Sequence, residues 1–366
     1  MRIGGTCVRQ VRLPLATPYK VSLMTIEAFD PFVIEVFDAE GNAGFGEALI
    51  IPGYTTETVA GSWDLCNRLS RRIVGLSADD ACAEVAAQVG EGAGAASAVL
   101  AAIDMLGRNP VLEAREAFRV PLLAPLHADE PSAIGPEIES RLAEGFRTLK
   151  VKVGFDWRSD LGRLRHIQQH VAGRASLRLD ANQGYSVADG CAFAAALDPA
   201  GIELFEQPCH MDDWDGNAQV AAVSTVPVML DESIYGIADI ARAAAIPGVG
   251  FVKLKLKKIG SVDMLVAALG EIRSRGLTPV LGDGVSIEIG CWMEACVARH
   301  TIDNAGEMNG FLKTKARLFQ TPLEFEGGAI GVPAGYRPRL DSEAVERHTV
   351  RSMQYGAAAA VRAIQV

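Results

Sequence analysis

The sequence has neither a long apolar run nor an excess of basic residues. No hydrophobic stretch approaches the roughly 20 residues that a membrane-spanning helix needs, and the N-terminal MRIGGTCVRQVRLPLA lacks the apolar core of a secretory signal. Asp and Glu number 45 against 35 Lys and Arg, so the formal net charge is -10. Because nucleic-acid-binding surfaces need clustered basic residues, we expect no membrane insertion, no secretion and no nucleic-acid binding.

Cysteines and histidines are also few, and they form no recognisable framework. The seven cysteines are odd in number, and none belongs to a C-x-x-C pair. This pattern favours a reducing, cytoplasmic compartment over a disulfide-bonded secreted protein. The six histidines are scattered, without the H-x-H spacing expected of a metal-dependent hydrolase on a barrel. These absences leave an acidic, cytoplasmic protein as the expectation.

What the sequence does contain is a repeated layout through its second half. Short apolar runs with strand character recur every 24 to 28 residues, measured between the polar residues near the end of each run. Segments with helical spacing of apolar residues lie between them. Since a strand, a helix and two loops take about 25 to 30 residues, eight such units predict a (β/α)8 barrel of the TIM type rather than an open doubly wound sheet. The runs are 120–127, 148–153, 176–181, 202–207, 227–232, 249–255, 278–283 and, most weakly, 303–309.

The chain before these units indicates a smaller α+β domain. Residues 1–50 have the pattern of a β-meander with a turn at Gly41 and Asn42, and helical segments follow it. We therefore predict an α/β protein with an α+β capping domain over residues 1–115 and a catalytic barrel over residues 116–321. Residues 322–366 depart from the barrel pattern and are expected to return to the capping domain.

Three consecutive predicted strands each end in a carboxylate, namely Asp180, Glu206 and Asp231. Barrels of this kind carry their chemistry at the C-terminal ends of the strands, and neighbouring buried anions repel one another unless a cation lies between them. Oxygen ligands favour Mg²⁺, or a similar ion such as Mn²⁺, over zinc. Glu232 points the other way along its strand and is the weaker ligand candidate, while Asn182 is placed to orient the site. The alternative is that these acids cap helices or bind lysines.

Lysines flank the three acids in strand order. Lys150 and Lys152 lie two residues apart on the strand before them and share one face, and Lys255 lies on the strand after them. Inside a barrel, Lys152 and Lys255 would flank the metal from opposite sides as two proton carriers. Nearby cations, such as Lys150 and the metal, would lower the lysine pKa toward that of a usable base. The alternative is a basic edge strand whose lysines are solvated.

Together these motifs resemble the enolase superfamily, and specifically its muconate lactonizing enzyme subgroup. The resemblance rests on K-x-K, D-A-N, E-Q-P, D-E-S and K-x-x-K-x-G on the second to sixth barrel strands, and it spans nearly the whole chain. It implies a capping domain over a barrel and a bound Mg²⁺. The residue roles that it implies are Mg²⁺ ligation by Asp180, Glu206 and Asp231, acid/base catalysis by Lys152 and Lys255, and modulation of Lys152 by Lys150.

Comparison with the family's patterns narrows the choice of residues and substrates. Lys255 is preferred to Lys253 and Lys257 because it precedes Gly260 by five positions, as the family's catalytic lysine does. The mandelate racemase subgroup has a histidine at the end of the seventh strand, where this chain has VLGDGVS, so a Lys/His pair is not expected. Dipeptide epimerases of the family carry D-x-D on the eighth strand, where this chain has EMN, which argues against a dipeptide substrate.

The resemblance also implies a reaction. A lysine removes the proton next to a substrate carboxylate, and Mg²⁺ and Lys150 stabilise the enediolate. Reprotonation by the opposite lysine makes the enzyme a racemase or epimerase, with an amino acid or N-substituted amino acid as the favoured substrate. Other fates of the intermediate make it a cycloisomerase or a dehydratase or other β-elimination lyase. A metal-dependent hydrolase and a non-catalytic binding barrel are the alternatives from other classes.

Substrate specificity is expected to come from capping-domain loops that close over the barrel mouth, at residues 17–25 and 51–58. Tyr19 and Tyr54 on these loops would shape the pocket. Asp283 and Glu307, at later strand ends, would hold a cationic group such as a substrate amine. The expected partner is a small-molecule carboxylate, and the protein is expected to form a homo-oligomer.

Overall fold

The N-terminal part of the chain forms antiparallel sheets and three helices. The structure is a computed structural model, and it describes residues 1–20, 25–53 and 55–356. The first elements are β1 (Ile3–Val11), β2 (Leu13–Lys20), β3 (Thr25–Phe29), β4 (Phe32–Asp38), β5 (Ala43–Ala48), α1 (Val59–Arg72), α2 (Ala78–Ala86) and α3 (Ala93–Leu106). Strands β1, β4 and β5 are hydrogen-bonded in that order, and β2 pairs with β3. The turn predicted at Gly41 joins β4 to β5, and its φ of 86° is one that glycine adopts readily.

Helix α3 approaches strand β5 closely because two glycines of the strand face it. A Cβ atom on Gly44 would lie 2.2 Å from the carbonyl oxygen of Ala102, and one on Gly46 would lie 2.2 Å from that of Ala98. The facing helix is itself rich in alanine, and its sequence is AGAASAVLAAIDML. The small side chains on both elements therefore let the two backbones touch, which fixes α3 against the sheet.

We expect Gly46→Ala to lower the free energy of unfolding by about 1–3 kcal/mol, because α3 must move away from the sheet to admit a methyl group. Urea unfolding followed by circular dichroism measures the change. Gly162→Ala is the matched control, since a Cβ atom at this helical position meets nothing within 4 Å. There the free energy of unfolding should stay level or rise by about 0.5–1 kcal/mol. Equal stabilities of the two variants would contradict the close packing.

From residue 118 onward, strands and helices alternate. The elements are β6 (Phe118–Pro121), β7 (Ala124–Leu126), α4 (Pro131–Ala143), β8 (Thr148–Lys152), α5 (Trp157–Val171), β9 (Ser176–Asp180), α6 (Val187–Ala196), β10 (Ile202–Glu206), α7 (Trp214–Val223), β11 (Val228–Leu230), α8 (Ile237–Ala244), β12 (Val249–Leu254), α9 (Leu256–Ile259), α10 (Val262–Ser274), β13 (Thr278–Leu281) and α11 (Glu288–Thr301). Strands β7 to β13 are parallel neighbours in chain order. Side-chain oxygens of Asp156, Ser186, Asp213 and Ser261 accept backbone N–H groups at the starts of α5, α6, α7 and α10, which is why these helices begin there.

A short extended segment around Gly306 closes the ring. The N–H of Gly306 donates to the carbonyl of Pro121 at 2.9 Å, and the N–H of Leu123 donates to the carbonyl of Gly306 at 3.0 Å. On the other side, the N–H of Glu307 donates to the carbonyl of Leu281 at 3.0 Å. The segment is thus hydrogen-bonded to β13 on one side and to the residues just before β7 on the other. The predicted (β/α)8 barrel with an N-terminal strand-rich domain is confirmed.

The side chains inside the barrel lie in two layers. A small apolar cluster is formed by Leu204, Met229, Val280 and Phe251. Two residues further along β10, β11 and β12, the chain carries ionisable side chains instead: Glu206, Asp231 and Lys253. Side chains at i and i+2 of a strand share a face, so the charged layer lies above the apolar one at the C-terminal ends of the strands. This is the end at which barrels of this type carry functional sites.

The C-terminal elements contact both parts of the chain. They are β14 (Glu324–Glu326), β15 (Ala329–Val332), α12 (Ser342–His348) and β16 (Thr349–Gly356). Strand β15 pairs antiparallel with β6, and β16 pairs antiparallel with β1. The domain boundaries after residues 115 and 321 stay predictions. Within the described ranges, no helix combines the length and the apolarity that crossing a membrane requires.

Two of the eight predicted strands differ from the observed ones. The run 120–127 is divided, because residues up to Pro121 belong to β6 and pair with β15, and only β7 enters the barrel. The run 303–309 forms one isolated bridge, between Gly306 and Leu122, rather than a strand. Its sequence DNAGEMN is rich in residues that disfavour strands. Its few backbone hydrogen bonds are made with Pro121, Leu123 and Leu281, in the segments on either side of it.

Candidate active site

Strand register brings the predicted catalytic and metal-binding residues to one rim of the barrel. Lys152 at the end of β8 lies opposite Asp180 of β9, which in turn lies opposite Glu206 of β10. Asp231 directly follows β11, and Lys255 directly follows β12. Parallel strands of a barrel end at the same level, and this alignment alone brings the five side chains together.

Two deeply buried lysines bridge the three carboxylates. The Nζ atom of Lys150 lies 2.8 Å from Asp180 Oδ2 and 3.1 Å from Glu206 Oε2. The Nζ atom of Lys253 lies 3.0 Å from Glu206 Oε1 and 3.5 Å from Asp231 Oδ2. None of these five side chains is more than 3% exposed. Buried carboxylates this close together need opposing positive charge, which the two ammonium groups supply.

The same carboxylates have the chemistry of a divalent-cation site. Burial raises the pKa of Asp180, but Lys150 and other lysines outweigh it and lower the pKa to about 2. Burial likewise opposes the ionisation of Asp231, yet Lys255 and Lys253 hold its pKa well below the usual value. No three Asp, Glu, His or Cys side chains of the described residues form a ready coordination shell. The donors thus fit a hard cation by type, while ammonium groups now provide the positive charge among them.

Lys152 and Lys255 lie at opposite ends of the acidic row, which is formed by Asp180, Glu206 and Asp231. The Nζ atom of Lys152 lies 2.6 Å from Asp180 Oδ2, and that of Lys255 lies 2.7 Å from Asp231 Oδ2. Their side chains are 23% and 15% exposed, whereas Lys150 and Lys253 are nearly inaccessible. Both of these more exposed side chains line one cavity. They are therefore placed to reach a bound molecule from two sides.

In this arrangement the pKa values of Lys152 and Lys255 lie above their usual value, although Lys150 lowers that of Lys152 as expected. Burial has the largest single effect and lowers the pKa of Lys152, but Asp180, Tyr19 and Glu307 together raise it by more, so the pKa lies above its usual value. The pKa of Lys255 is raised in the same way, because Asp231, Asp283 and Glu232 together outweigh the effect of burial. Each ammonium contacts a carboxylate rather than another cation, which explains the direction. A lysine acting as a base must first lose this stabilisation.

Comparison with known proteins identifies the family. Residues 134–338 match a family model described as enolase C-terminal domain-like, which is more than half of the chain. The chain belongs to the enolase superfamily. The resemblance to the superfamily seen in the sequence is thereby confirmed.

The proteins similar to this superfamily member include epimerases and racemases. A hydrophobic dipeptide epimerase of Citrifermentans bemidjiense is 30% identical, over 79% of this chain and 81% of its own length. An N-succinylamino acid racemase of Amycolatopsis is 25% identical, over 92% of this chain and 94% of its own length. A dipeptide epimerase of Enterococcus faecalis, solved with Mg and the dipeptide L-Leu-L-Tyr, superposes with a TM-score of 0.82 at 25% identity, over 92% of this chain and 99% of that chain. The chain is an enolase-superfamily isomerase.

Asn182 links one lysine of this superfamily member to a buried acid. Its Oδ1 accepts a hydrogen bond from Lys152, and its Nδ2 donates to Glu232 Oε1 at 2.9 Å. Glu232, which strand alternation disfavours as a ligand, still faces the cavity, and its Oε2 is buried without a hydrogen-bond partner among the described residues. Burial and the neighbouring Asp231 raise the pKa of Glu232 to about 7. Glu232 therefore belongs to the cavity wall.

The two acids predicted to hold a substrate amine are both paired with lysines of the protein. Glu307 accepts hydrogen bonds from Lys150 at 2.8 and 3.0 Å and also from Lys253. Asp283 Oδ2 lies 2.7 Å from the Nζ atom of Lys257. Both acids line the cavity. Binding a substrate cation there stays a prediction, and it would require each carboxylate to be shared with its internal partner.

Residues of the capping loops reach the barrel mouth. Tyr19 is buried and lines the cavity, and its ring centroid lies 4.4 Å from the Nζ atom of Lys313 and 6.2 Å from the ring centroid of His127. Ile51 and Thr55, from the second loop, line the same cavity. Tyr54 lies outside the described residues, so its predicted role has no structural account.

Sequence reasoning passed over two lysines of the site. Lys253 was set aside in favour of Lys255, yet it holds the acidic row together as Lys150 does. The signal was present, because Lys253 and Lys255 repeat the i, i+2 spacing of Lys150 and Lys152. In each pair the first lysine lies deep and the second lies at the mouth. Lys313 has no such motif, and only the folded chain brings it beside Tyr19.

Proposed function

We propose that this protein is a Mg²⁺-dependent racemase or epimerase of N-acylated amino acids, with Lys152 and Lys255 as its two acid/base groups. The observation that carries the proposal is their position: the two ammonium groups contact opposite ends of one row of buried carboxylates and open into one cavity. Inversion at a carbon centre requires a proton to leave from one face and another to return to the opposite face. Two lysines at opposite ends of the row meet that requirement.

Asp180, Glu206 and Asp231 are the residues that would hold the metal. They are buried, they come from adjacent strands, and ammonium groups already contact all three. A divalent cation bound there would stabilise the negative charge that develops on a substrate carboxylate when its α-proton leaves. Support for Mg²⁺ comes from these hard oxygen donors and from the related dipeptide epimerase that was solved with Mg.

The chain's own residues provide the proton transfers. Lys152, held by Asn182 and Asp180, accepts the α-proton of one enantiomer, and Lys255 delivers a proton to the other face of the resulting enediolate. The roles exchange for the opposite enantiomer. Lys150 stays protonated between Asp180, Glu206 and Glu307, and it keeps a fixed positive charge beside the reacting carboxylate.

The substrate class follows from what the relatives share. N-succinylamino acids and dipeptides are both amino acids that carry an acyl group on nitrogen and a free carboxylate at the reacting end. Acylation removes the positive charge of the amine. This suits a cavity in which Asp283 and Glu307 are already paired with lysines of the protein. N-acyl amino acids are therefore the substrates that we propose, in place of free amino acids.

Exchange of the α-hydrogen in D2O tests the proposal. Purified protein with Mg²⁺ is incubated with a panel of N-acyl amino acids, dipeptides, free amino acids and muconate-like diacids, and proton NMR follows the loss of the α-hydrogen signal. We expect exchange with racemisation for at least one N-acyl amino acid. Exchange accompanied by elimination or ring formation would instead identify a lyase or cycloisomerase, and no exchange with any member would overturn the proposal.

A further inference from the structure

One lysine at the mouth of the site has no carboxylate partner. The ion pairs formed among residues 1–20, 25–53 and 55–356 do not include Lys313. Its Nζ atom donates to the carbonyl of Gly284 and to Asn309 Oδ1, the latter at 3.0 Å, and it lies 4.4 Å from the ring centroid of Tyr19. These neutral neighbours orient the ammonium without cancelling its charge.

The other lysines and arginines that line these spaces each pair with a carboxylate, which makes Lys313 an exception among the lining cations of the described residues. The inner cavity is lined by six lysines and six carboxylates: Lys150, Lys152, Lys253, Lys255, Lys257, Lys258, Glu57, Asp180, Asp231, Glu232, Asp283 and Glu307. A second space, which we call the outer groove, is lined in part by Arg141, Glu144, Arg163 and Asp129. Arg141 lies 3.2 Å from Glu144, and Arg163 lies 3.6 Å from Asp129. Lys313 also lines this groove. Its charge has no carboxylate partner among the described residues, although the carboxylates Glu137 and Asp160 also line the groove.

Lys313 is within reach of a molecule bound at the catalytic lysines. Tyr19, Lys152 and Asn182 line both the inner cavity and the outer groove, so the two spaces meet at these side chains. A substrate whose α-carbon lies beside Lys152 can extend past Tyr19 into the groove. The group that points this way, away from the reacting carboxylate, is the substituent on nitrogen.

We propose that Lys313 binds a carboxylate at the far end of the substrate's N-acyl group. The substrate is then an amino acid acylated by a dicarboxylic acid, such as an N-succinyl amino acid, rather than a dipeptide. This inference rests on the proposed function and specifies its substrate. A dipeptide would place an ammonium group in this region, where Lys313 repels it, and the neutral Asn309 stands where the D-x-D pattern would supply a second acid.

Matched substrates isolate the contribution of this one charge. An N-succinyl amino acid is compared with its N-butanoyl analogue, which has the same acyl chain length without the carboxylate, and with the corresponding L-alanyl dipeptide. We expect wild-type kcat/KM for the succinyl compound to exceed that for the butanoyl compound by at least about 10-fold, as a charge-assisted contact provides. The dipeptide should be the poorest of the three.

Variants then assign the preference to Lys313. Lys313→Met should raise KM for the succinyl substrate about 10- to 100-fold with little change in kcat, and it should leave the butanoyl substrate within about twofold of wild type. Lys313→Arg should restore most of the preference. Lys315→Met is the matched control, since Lys315 is exposed and its side chain forms no hydrogen bond or ion pair with the described residues, while its backbone N–H donates to the carbonyl of Pro14.

The outcomes separate this inference from the function on which it rests. Equal losses for succinyl and butanoyl substrates in Lys313→Met would make Lys313 a structural support and overturn the inference alone. So would a wild-type enzyme that shows α-hydrogen exchange without preferring the succinyl compound. Failure of exchange with every N-acyl amino acid would instead overturn the proposed function, and this inference with it.

Discussion

Lys152→Ala is expected to lower the racemisation rate by about 100- to 10,000-fold, the range over which a positioned acid/base group contributes. It should not abolish α-hydrogen exchange for both enantiomers. Lys255 remains beside Asp231 at the other end of the row, so it can still remove the proton from the enantiomer that presents that proton to it. We expect this enantiomer to exchange with solvent deuterium while keeping its configuration.

Lys255→Ala should give the mirror image of this result. Racemisation falls by a similar factor, and exchange persists only for the opposite enantiomer, because Lys152 now acts alone. Neither substitution strands a buried acid: Asp180 still lies 2.8 Å from Lys150, and Asp231 still lies 3.3 Å from Lys258. Both variants should therefore fold, which circular dichroism and a thermal unfolding midpoint near that of wild type would verify.

The measurement uses each pure enantiomer of the best substrate in D2O, with NMR reporting exchange and polarimetry reporting inversion. Lys315→Ala is the control for removing an amine from an exposed site, and its rates should match wild type. An unchanged racemisation rate in either active-site variant would remove that lysine from the mechanism. Loss of exchange for both enantiomers in both variants would replace the two-base arrangement with one in which the lysines act together.

Removal of the metal is expected to have an effect of comparable size. Treatment with a chelator should abolish racemisation, and added Mg²⁺ should restore it. Glu206→Gln keeps the shape of the middle carboxylate of the row but removes its charge, and we expect Mg²⁺ affinity measured by calorimetry to fall by about 100-fold or more. Glu206 lies between Lys150 and Lys253, so the variant also leaves excess positive charge that opposes a cation.

A readout independent of activity accompanies this test. A ligand that binds only the folded state raises the thermal midpoint, so Mg²⁺ should stabilise wild type and leave Glu206→Gln unchanged. Glu326→Gln removes an exposed carboxylate on β14 and should respond to Mg²⁺ as wild type does. Equal Mg²⁺ affinity in Glu206→Gln and wild type would exclude Glu206 from the metal site.

The sequence predicted the barrel because its signal is local and repeated. Each unit carries a short apolar strand followed by an amphipathic helix, and polar residues such as Asp156 and Ser186 mark where helices begin. The weak unit at residues 303–309 was the one misassigned as a strand. Its backbone hydrogen bonds are made with Pro121 and Leu281, which are distant in sequence. No local propensity encodes such bonds.

The acidic row was predictable for the same reason. Asp180, Glu206 and Asp231 each stand at the end of an apolar run, and parallel strands of a barrel align their ends. The roles of the lysines and later acids were harder to predict. The sequence placed Lys150 and Lys152 on one face, but nothing in it indicated that Glu307, 157 residues further along the chain, would contact Lys150.

The amino-acid sequence by itself determined the architecture, the acidic row and the two lysines at its ends, because periodicity and strand ends are properties of neighbouring residues. Only the tertiary structure decided how the charges are shared. Lys253 and Lys150 lie deep among the acids, Lys257 pairs with Asp283, and Lys313 has no acidic partner among the described residues. Such pairings depend on distances between distant segments, which closure of the ring sets.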